Sequence, residues 1–364
     1  MSDVRVLVAP DKFAGTLTAV QAARAIADGW TRQAPGDDLD LAPMADGGPG
    51  FVDVLHEALG GELAAVTVRG PHGAPVPGAV LLDAGRAWVE SAQACGLALT
   101  GGERAESATT WGVGELVMHA IEAGATDIAV GLGGSGTNDG GAGLLGALGA
   151  VADRPLDQGV AGLAGVIEVD LGPAQERLAG VTLTCATDVD SPLTGLFGAT
   201  KTFGPQKGID EDRLPDVDGV LEELAAATDR RTSLEKGAGA AGGLGFALLL
   251  LGASRRPGFD VVADAVGLAA RARAADLVVT GEGAFDFSSR SGKVPYGVAT
   301  VAAEAVRPCV ALAGRVLVGA REMRVLGIES AYSLVELVGE ERALADPGRS
   351  LTELAARVAR TWSR

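Results

Sequence analysis

Thirteen residues from Gly131 to Gly143, reading Gly-Leu-Gly-Gly-Ser-Gly-Thr-Asn-Asp-Gly-Gly-Ala-Gly, hold the densest potential for chemistry in this chain of 364. An apolar run, Ile128-Ala129-Val130, precedes them and another, Leu144 to Leu148, follows. A strand, a glycine-rich turn and a buried helix are how α/β proteins aim backbone N–H groups at an anion. Gly131, Gly133 and Gly136 also satisfy the dinucleotide pattern G-x-G-x-x-G. A dinucleotide helix needs apolar residues soon after the third glycine, whereas Gly136 is followed by Thr137-Asn138-Asp139-Gly140. Asp139 would repel a bare pyrophosphate. It suits a phosphate that carries Mg²⁺, or the cap of its own helix.

The cations point the same way. Arginine supplies all but five of the 30 basic residues, and the lysines are Lys12, Lys201, Lys207, Lys236 and Lys293, each in or beside a segment broken by Gly or Pro. Lysine is a compact point charge that binds phosphate without the fork geometry of arginine; the plain alternative is that loops are exposed and lysines collect there. Carboxylates stand where strands end: Asp46 before Gly47-Gly48, Asp188 and Asp190 after Leu183 to Thr187, and Asp286 after Gly281-Glu282-Gly283. At such positions they face the crevice where α/β proteins bind ligands, and could hold Mg²⁺ or accept a hydroxyl proton. Asx turns and helix caps are the competing reading. Asp188 and Asp190, two apart, would point the same way in an extended chain. His56, His72 and His119 lack partners in sequence and read as structural. No nucleophile elbow or H-E-x-x-H occurs, and Gly292-Lys293-Val294 lacks the hydroxyl of a Walker A motif.

Two β-loop-α units open the chain and position these groups. Val4 to Ala9 is a continuous apolar strand, Thr18 and Gln21 form a capping box, and Val20, Ala23, Ile26 and Trp30 mark a helical face. Leu39 to Ala45 is a second strand; Phe51, Val52, Leu55 and Leu59 mark a helix ending at Gly60-Gly61. Three late strands, Asp276 to Thr280, Cys309 to Ala313 and Ala331 to Val335, complete a five-stranded doubly wound, flavodoxin/Rossmann-like parallel sheet. Between them lies a hairpin with turn residues Pro71, Gly73, Pro75, Pro77 and Gly78, then a helix around Val113 to Ile121. The expected organisation is a discontinuous α/β domain (residues 1–61 plus 271–364) with a second α/β domain (62–270) inserted into it, and the active site in the cleft between them.

Composition narrows the partners. A net charge of −17 argues against nucleic acid and anionic membranes, while a locally positive site could still take a small anion. Cys95, Cys185 and Cys309 form neither a disulfide framework nor a zinc motif. Gly237 to Ser254, though uncharged, is filled with Gly and Ala in its first half and reads as a buried helix after a glycine loop rather than a span. The N-terminus reads as a strand without a signal peptide, so a cytoplasmic protein is expected, with a homo-oligomer admitted.

Taken in order, Ala9 to Thr18, Met44 to Gly50, Thr109 to Leu116, Gly131 to Gly143, Ala186 to Gly208, Gly237 to Gly245, Thr280 to Val298 and Ala311 to Gly314 make the chain resemble the bacterial type I glycerate kinases over nearly its whole length. The family's G-G-S-x-T-N-D-G-G falls on Gly133 to Gly141, D-x-D/N-x-P-L on Asp188 to Leu193, F-G-P-Q-K-G on Phe203 to Gly208, and G-E-G…D…S-G-K on Gly281 to Lys293. Two departures stand out. Asp11-Lys12-Phe13-Ala14-Gly15 replaces D-S-F-K-G, moving the cation two positions earlier, and Pro49 removes an acid from A-D-G-G-E-G.

The resemblance implies ATP- and Mg²⁺-dependent phosphorylation of D-glycerate, with 2-phosphoglycerate favoured over 3-phosphoglycerate. On this reading Gly133, Gly134, Ser135, Gly136, Thr137, Asn138 and Gly140 hold ATP. Lys207 and Lys293 neutralise charge, and Asp188 or Asp190, then Asp46 and Asp286, act as base or metal ligand, with Asp139 a further metal candidate. Lys12, Gly47, Gly48, Gln206 and Ser291 meet the substrate. An NAD-dependent oxidoreductase would need an acid about 20 residues past the glycines; Asp153 and Asp157 fall there, but in a loop broken by Pro155. A non-catalytic sugar-acid binding protein would leave the paired carboxylates and lysines without a purpose.

Overall fold

The computed structural model describes residues 4–13, 15–286 and 293–363. The chain divides into two compact units, one of Met1–Asp46, Asp53–Gly60 and Gly258–Arg364, the other of Gly47–Val52 and Gly61–Pro257. The α/β class with parallel sheets is as the sequence predicts.

In the first unit five parallel strands lie in the order Ser330–Ser333, Cys309–Val316, Leu277–Phe285, Arg5–Val8, Asp38–Leu41. Numbered along the chain this is 2-1-3-4-5, so the winding reverses between Arg5–Val8 and Leu277–Phe285, and ligands bind outside the carboxyl ends of strands at such a reversal. Val6, Leu7, Val8, Val278 and Val279 are buried, as a parallel sheet covered on both faces requires. The helix Ala19–Gln33 starts at the expected capping box: Thr18 Oγ1 accepts from Gln21 N–H at 3.1 Å, and Gln21 Oε1 accepts from Thr18 N–H at 3.0 Å. Its Ala22, Ile26 and Trp30 are fully buried, and it packs on the closing helix Pro347–Trp362, whose Thr352 carbonyl occupies the space a Cβ at Gly29 would need. Several strand boundaries differ from expectation: Cys309–Val316 runs three residues past Ala313, and the last strand ends at Ser333, Leu334 and Val335 opening a helix. The second strand stops at Leu41, and Gly281-Glu282-Gly283, expected to follow the strand ending at Thr280, lies inside Leu277–Phe285 because Cys309–Val316 continues to pair with it.

The second unit holds a six-stranded sheet in the order Ser254–Arg256, Thr182–Ala186, Asp127–Gly131, Arg86–Glu90, Pro75–Asp83, Glu62–Arg69, the last two joined as an antiparallel hairpin. Pro75, Pro77 and Gly78, expected in the turn, belong to the strand. Ala79 N–H points away from Glu62–Arg69, donating to Gln93 Oε1 at 2.6 Å. By strand alternation the missing N–H groups of Pro75 and Pro77 face that same side, beyond the residues paired with Arg86–Glu90, so neither proline costs a ladder bond. Leu244–Leu250 is the buried helix expected after the glycine loop. Among the described residues no helix is long and apolar enough to cross a membrane.

Candidate active site

Chemistry-bearing groups converge in the first unit at the reversal of strand order. Asp11 N–H donates to Gly281 O at 2.8 Å, Met44 N–H to Pro10 O at 2.9 Å, and Thr280 Oγ1 to Ala9 O at 2.9 Å, which fixes the chain leaving the first strand. A cavity of about 580 Å³ opens there, lined among others by Asp11, Lys12, Asp46, Glu282, Asp286 and Lys293. Lys12 Nζ stands 3.7 Å from Asp46 and 3.9 Å from Asp11. Burial pushes the Asp11 carboxyl up to about 6; the Lys12 ammonium opposes this and the Asp46 carboxylate adds to it. Lys12, Asp46, Asp286 and Lys293 were expected at a site, and this cavity gathers all four. Asp11, Glu282 and Arg315, which also line it, escaped the sequence reading. The signal for Asp11 was present, since it follows an apolar strand as the other strand-end carboxylates do.

In the second unit the glycine-rich run leaves the strand Asp127–Gly131 and enters the helix Ala142–Ala147. Its glycines serve close packing first. A Cβ on Gly133 would overlap Gly48 Cα, and one on Gly242, at φ +69°, would overlap the Thr137 carbonyl. Gly47 and Gly48 thus form one wall of the loop. The amides of Gly133 and Gly136 are spent inside the protein, donating to Gly47 O at 2.9 Å and Cys95 O at 2.7 Å. Gly134 and Ser135 amides take no part in these bonds, which narrows the phosphate contacts expected from this run.

Lys207 underpins the loop. From the short 3₁₀ turn Pro205–Lys207 its buried ammonium donates to Ser135 Oγ at 3.0 Å and Thr137 O at 2.7 Å. Burial lowers its pKa to about 8, against the raising influence of Cys95 and Asp139, so it keeps its charge near neutrality. Asp139 is fully buried two residues before Gly141, the N-cap of the helix, and its carboxylate accepts from Gly141 N–H at 3.0 Å, Gly143 N–H at 3.2 Å, Thr110 N–H at 2.8 Å and Thr110 Oγ1 at 2.9 Å. Burial raises its pKa against those four bonds. Asn138 Nδ2 donates to Thr200 Oγ1 at 3.0 Å.

The remaining expected residues are dispersed. Past the strand Thr182–Ala186, Val189 N–H donates to Thr187 Oγ1 at 3.2 Å, and residues 187–190 belong to no regular element. Asp190 is exposed and ion-paired to Lys236 at 3.1 Å and Arg255 at 2.5 Å, the Lys236 contact first holding its carboxyl below the usual range. Asp188 is half-buried. Lys201 pairs with buried Asp218 at 3.4 Å, Gln206 is exposed, and Ser291 lies outside the described residues. Asp157, weighed as a ribose acid, is bound to Arg69 at 2.9 Å. Among the described residues no three His, Cys, Asp or Glu side chains are preset around a metal. Mg²⁺ does not require such a cage, since it is usually held by one or two carboxylates together with substrate phosphates and water; the carboxylates of the first unit's cavity fit that donor set.

A model of the glycerate kinase family matches residues 6–363. The chain is 38% identical over 375 residues to a glycerate kinase of Halalkalibacterium halodurans, covering 99% of each. It is 35% identical over 349 residues to a glycerate 2-kinase of Escherichia coli, covering 92% of each. A crystal structure from Salmonella typhimurium, provisionally assigned as glycerate kinase 2, superposes with a TM-score of 0.85 at 36% identity, covering 99% of this chain and 98% of that one.

Proposed function

The chain belongs to the glycerate kinase family, and we infer from that membership that it transfers the γ-phosphoryl group of ATP to a hydroxyl of D-glycerate, giving phosphoglycerate and ADP. The 2-hydroxyl is the favoured acceptor, by analogy with the E. coli relative's name. Phosphoryl transfer asks for positioning and charge neutralisation more than covalent chemistry. The observation that carries our reading of the site is the cavity at the strand-order reversal, where a buried carboxyl with a pKa of about 6 stands among ammonium groups.

There the Asp11 carboxylate accepts the proton of the reacting hydroxyl; it is ionised at neutral pH yet more basic than an ordinary aspartate. Lys12, Lys293 and Arg315 meet the substrate carboxylate. In the second unit Gly134 and Ser135 amides contact nucleotide phosphate, while Lys207 holds the Ser135–Thr137 stretch in place. Mg²⁺, when bound, neutralises phosphate charge, and Asp46 and Asp286 would hold it.

A coupled assay with D-glycerate, ATP and Mg²⁺ tests the reading. ADP and phosphoglycerate should form in equal amounts, and phosphorus NMR of the product should show the 2-isomer. Absence of ADP above background, or NADH formed from glycerate and NAD⁺, would sink it.

A further inference from the structure

A second cavity, of about 450 Å³, lies in the second unit around the hairpin turn and belongs to neither set of groups described above. Its polar lining is Arg69, His72, Arg104, Ser107, Thr109, Gln158 and one carboxylate, Asp157, which Arg69 neutralises. Arg69 is engaged, donating to Asp157 Oδ2 at 2.9 Å and stacking 5.5 Å from the Trp111 ring centroid. Among the described residues Arg104 has no carboxylate within ion-pair range. Both ring nitrogens of His72 are buried without a hydrogen-bond partner; burial first, then the Arg104 guanidinium, hold its pKa below the usual imidazole value against the opposing pull of Glu103. Thr109 Oγ1 accepts from Trp111 N–H at 3.2 Å, which leaves its own proton to donate.

Arg104 also sits at φ +48°, ψ +41°, the left-handed region, where a residue with a Cβ is strained and glycine is not. An unpaired guanidinium, an orphaned imidazole N–H and a hydroxyl proton are all donors, and what they lack is an acceptor with several oxygens. Glu62–Arg69 and Arg86–Glu90 each run antiparallel to Pro75–Asp83, so Arg69 ends at the same edge of the sheet as Glu90 and Gly131.

We propose that this cavity binds a phosphate group through Arg104, His72 and Thr109, as an anion site additional to the glycine-rich loop. The proposal does not rest on the kinase assignment. The phosphate belongs either to the nucleotide tail or to a separate small phosphorylated compound, and both are within the cavity's size.

Calorimetric titration of the full chain with inorganic phosphate and with pyrophosphate tests it on wild type, Arg104→Gly and His72→Gln. Affinity for at least one of the two anions should fall tenfold or more in each variant, while the melting temperature of Arg104→Gly stays equal or rises, since glycine suits that backbone. A parallel rise in KM for ATP assigns the nucleotide tail as the source; an unchanged KM assigns a separate phosphorylated compound. If both variants bind both anions as wild type does, or if wild type binds neither anion, the site does not exist.

Discussion

Asp11 is where burial and function pull in opposite directions. Its folded pKa of about 6 lies above the ordinary 3.8, burial being the main cause, so its charged form is disfavoured by the fold. Below pH 3.8 the group is protonated folded or unfolded and costs nothing. As pH rises through about 6 the folded chain must ionise a buried group, and stability is lost, on the order of 3 kcal/mol for a shift of about two units. Asp11→Asn should therefore melt higher than wild type at pH 8, and the gap should close towards pH 4. Activity should run the other way. If Asp11 takes the hydroxyl proton, wild-type kcat/KM should fall on acidification with a midpoint near 6, and Asp11→Asn should lose about 10²-fold or more in kcat together with that limb. Melting curves and rate profiles over the same pH series decide it; a variant that keeps the limb takes the base role away from Asp11. Lys207 shows the complementary case, a residue that resembles a phosphate ligand in sequence and spends two of its donors on the loop itself.

At the scale of elements, the glycine-rich run is held by what it touches. Gly133 meets Gly48 Cα and N, both backbone atoms that cannot swing aside. Gly133→Ala should destabilise by roughly 1–3 kcal/mol through overpacking, and should weaken nucleotide binding because Gly134 and Ser135 move with it. Gly219 is the internal control: it sits within the helix Leu214–Ala227, with nothing within 4 Å of an added Cβ. Gly219→Ala should stabilise by about 0.5–1 kcal/mol. Denaturant melts of the two variants should move in opposite directions, and equal shifts would refute the packing argument. The contrast also explains what could be read in advance. The Thr18–Gln21 capping box and the helix over 51–59 are set by neighbours within a few positions, and sequence shows them. The partners of Gly133 and Thr137 are Gly48 and Gly242, some 85 and 105 residues away, so spacing alone suggested a cradle and could not show which amides were already spent. Pro75 and Pro77 escaped for the same reason, since only the sheet register reveals that their missing N–H groups face an unpaired side.

At the scale of the whole molecule, charge is the property most directly legible, and it yields a prediction of definite sign. The chain carries 47 acidic against 30 basic residues, and a surplus of like charge destabilises the compact state through self-repulsion. Many of the compensating contacts are exposed pairs, such as Arg24–Glu57 and Arg342–Glu353, each worth about 0–1 kcal/mol and itself weakened by salt. Screening acts on both terms but reaches the long-range repulsion more strongly, because the Debye length falls from about 30 Å at 0.01 M to about 8 Å at 0.15 M, while paired groups stay within 4 Å. Raising KCl over that range should therefore raise the melting temperature by a few degrees. Potassium chloride suits the measurement because, unlike sulfate or phosphate, it is not a strongly excluded salt. A melting temperature that falls with KCl would mean that the local ion pairs outweigh the surplus of 17 negative charges, and that this acidic surface is stabilised by its pattern of pairing rather than strained by its sum.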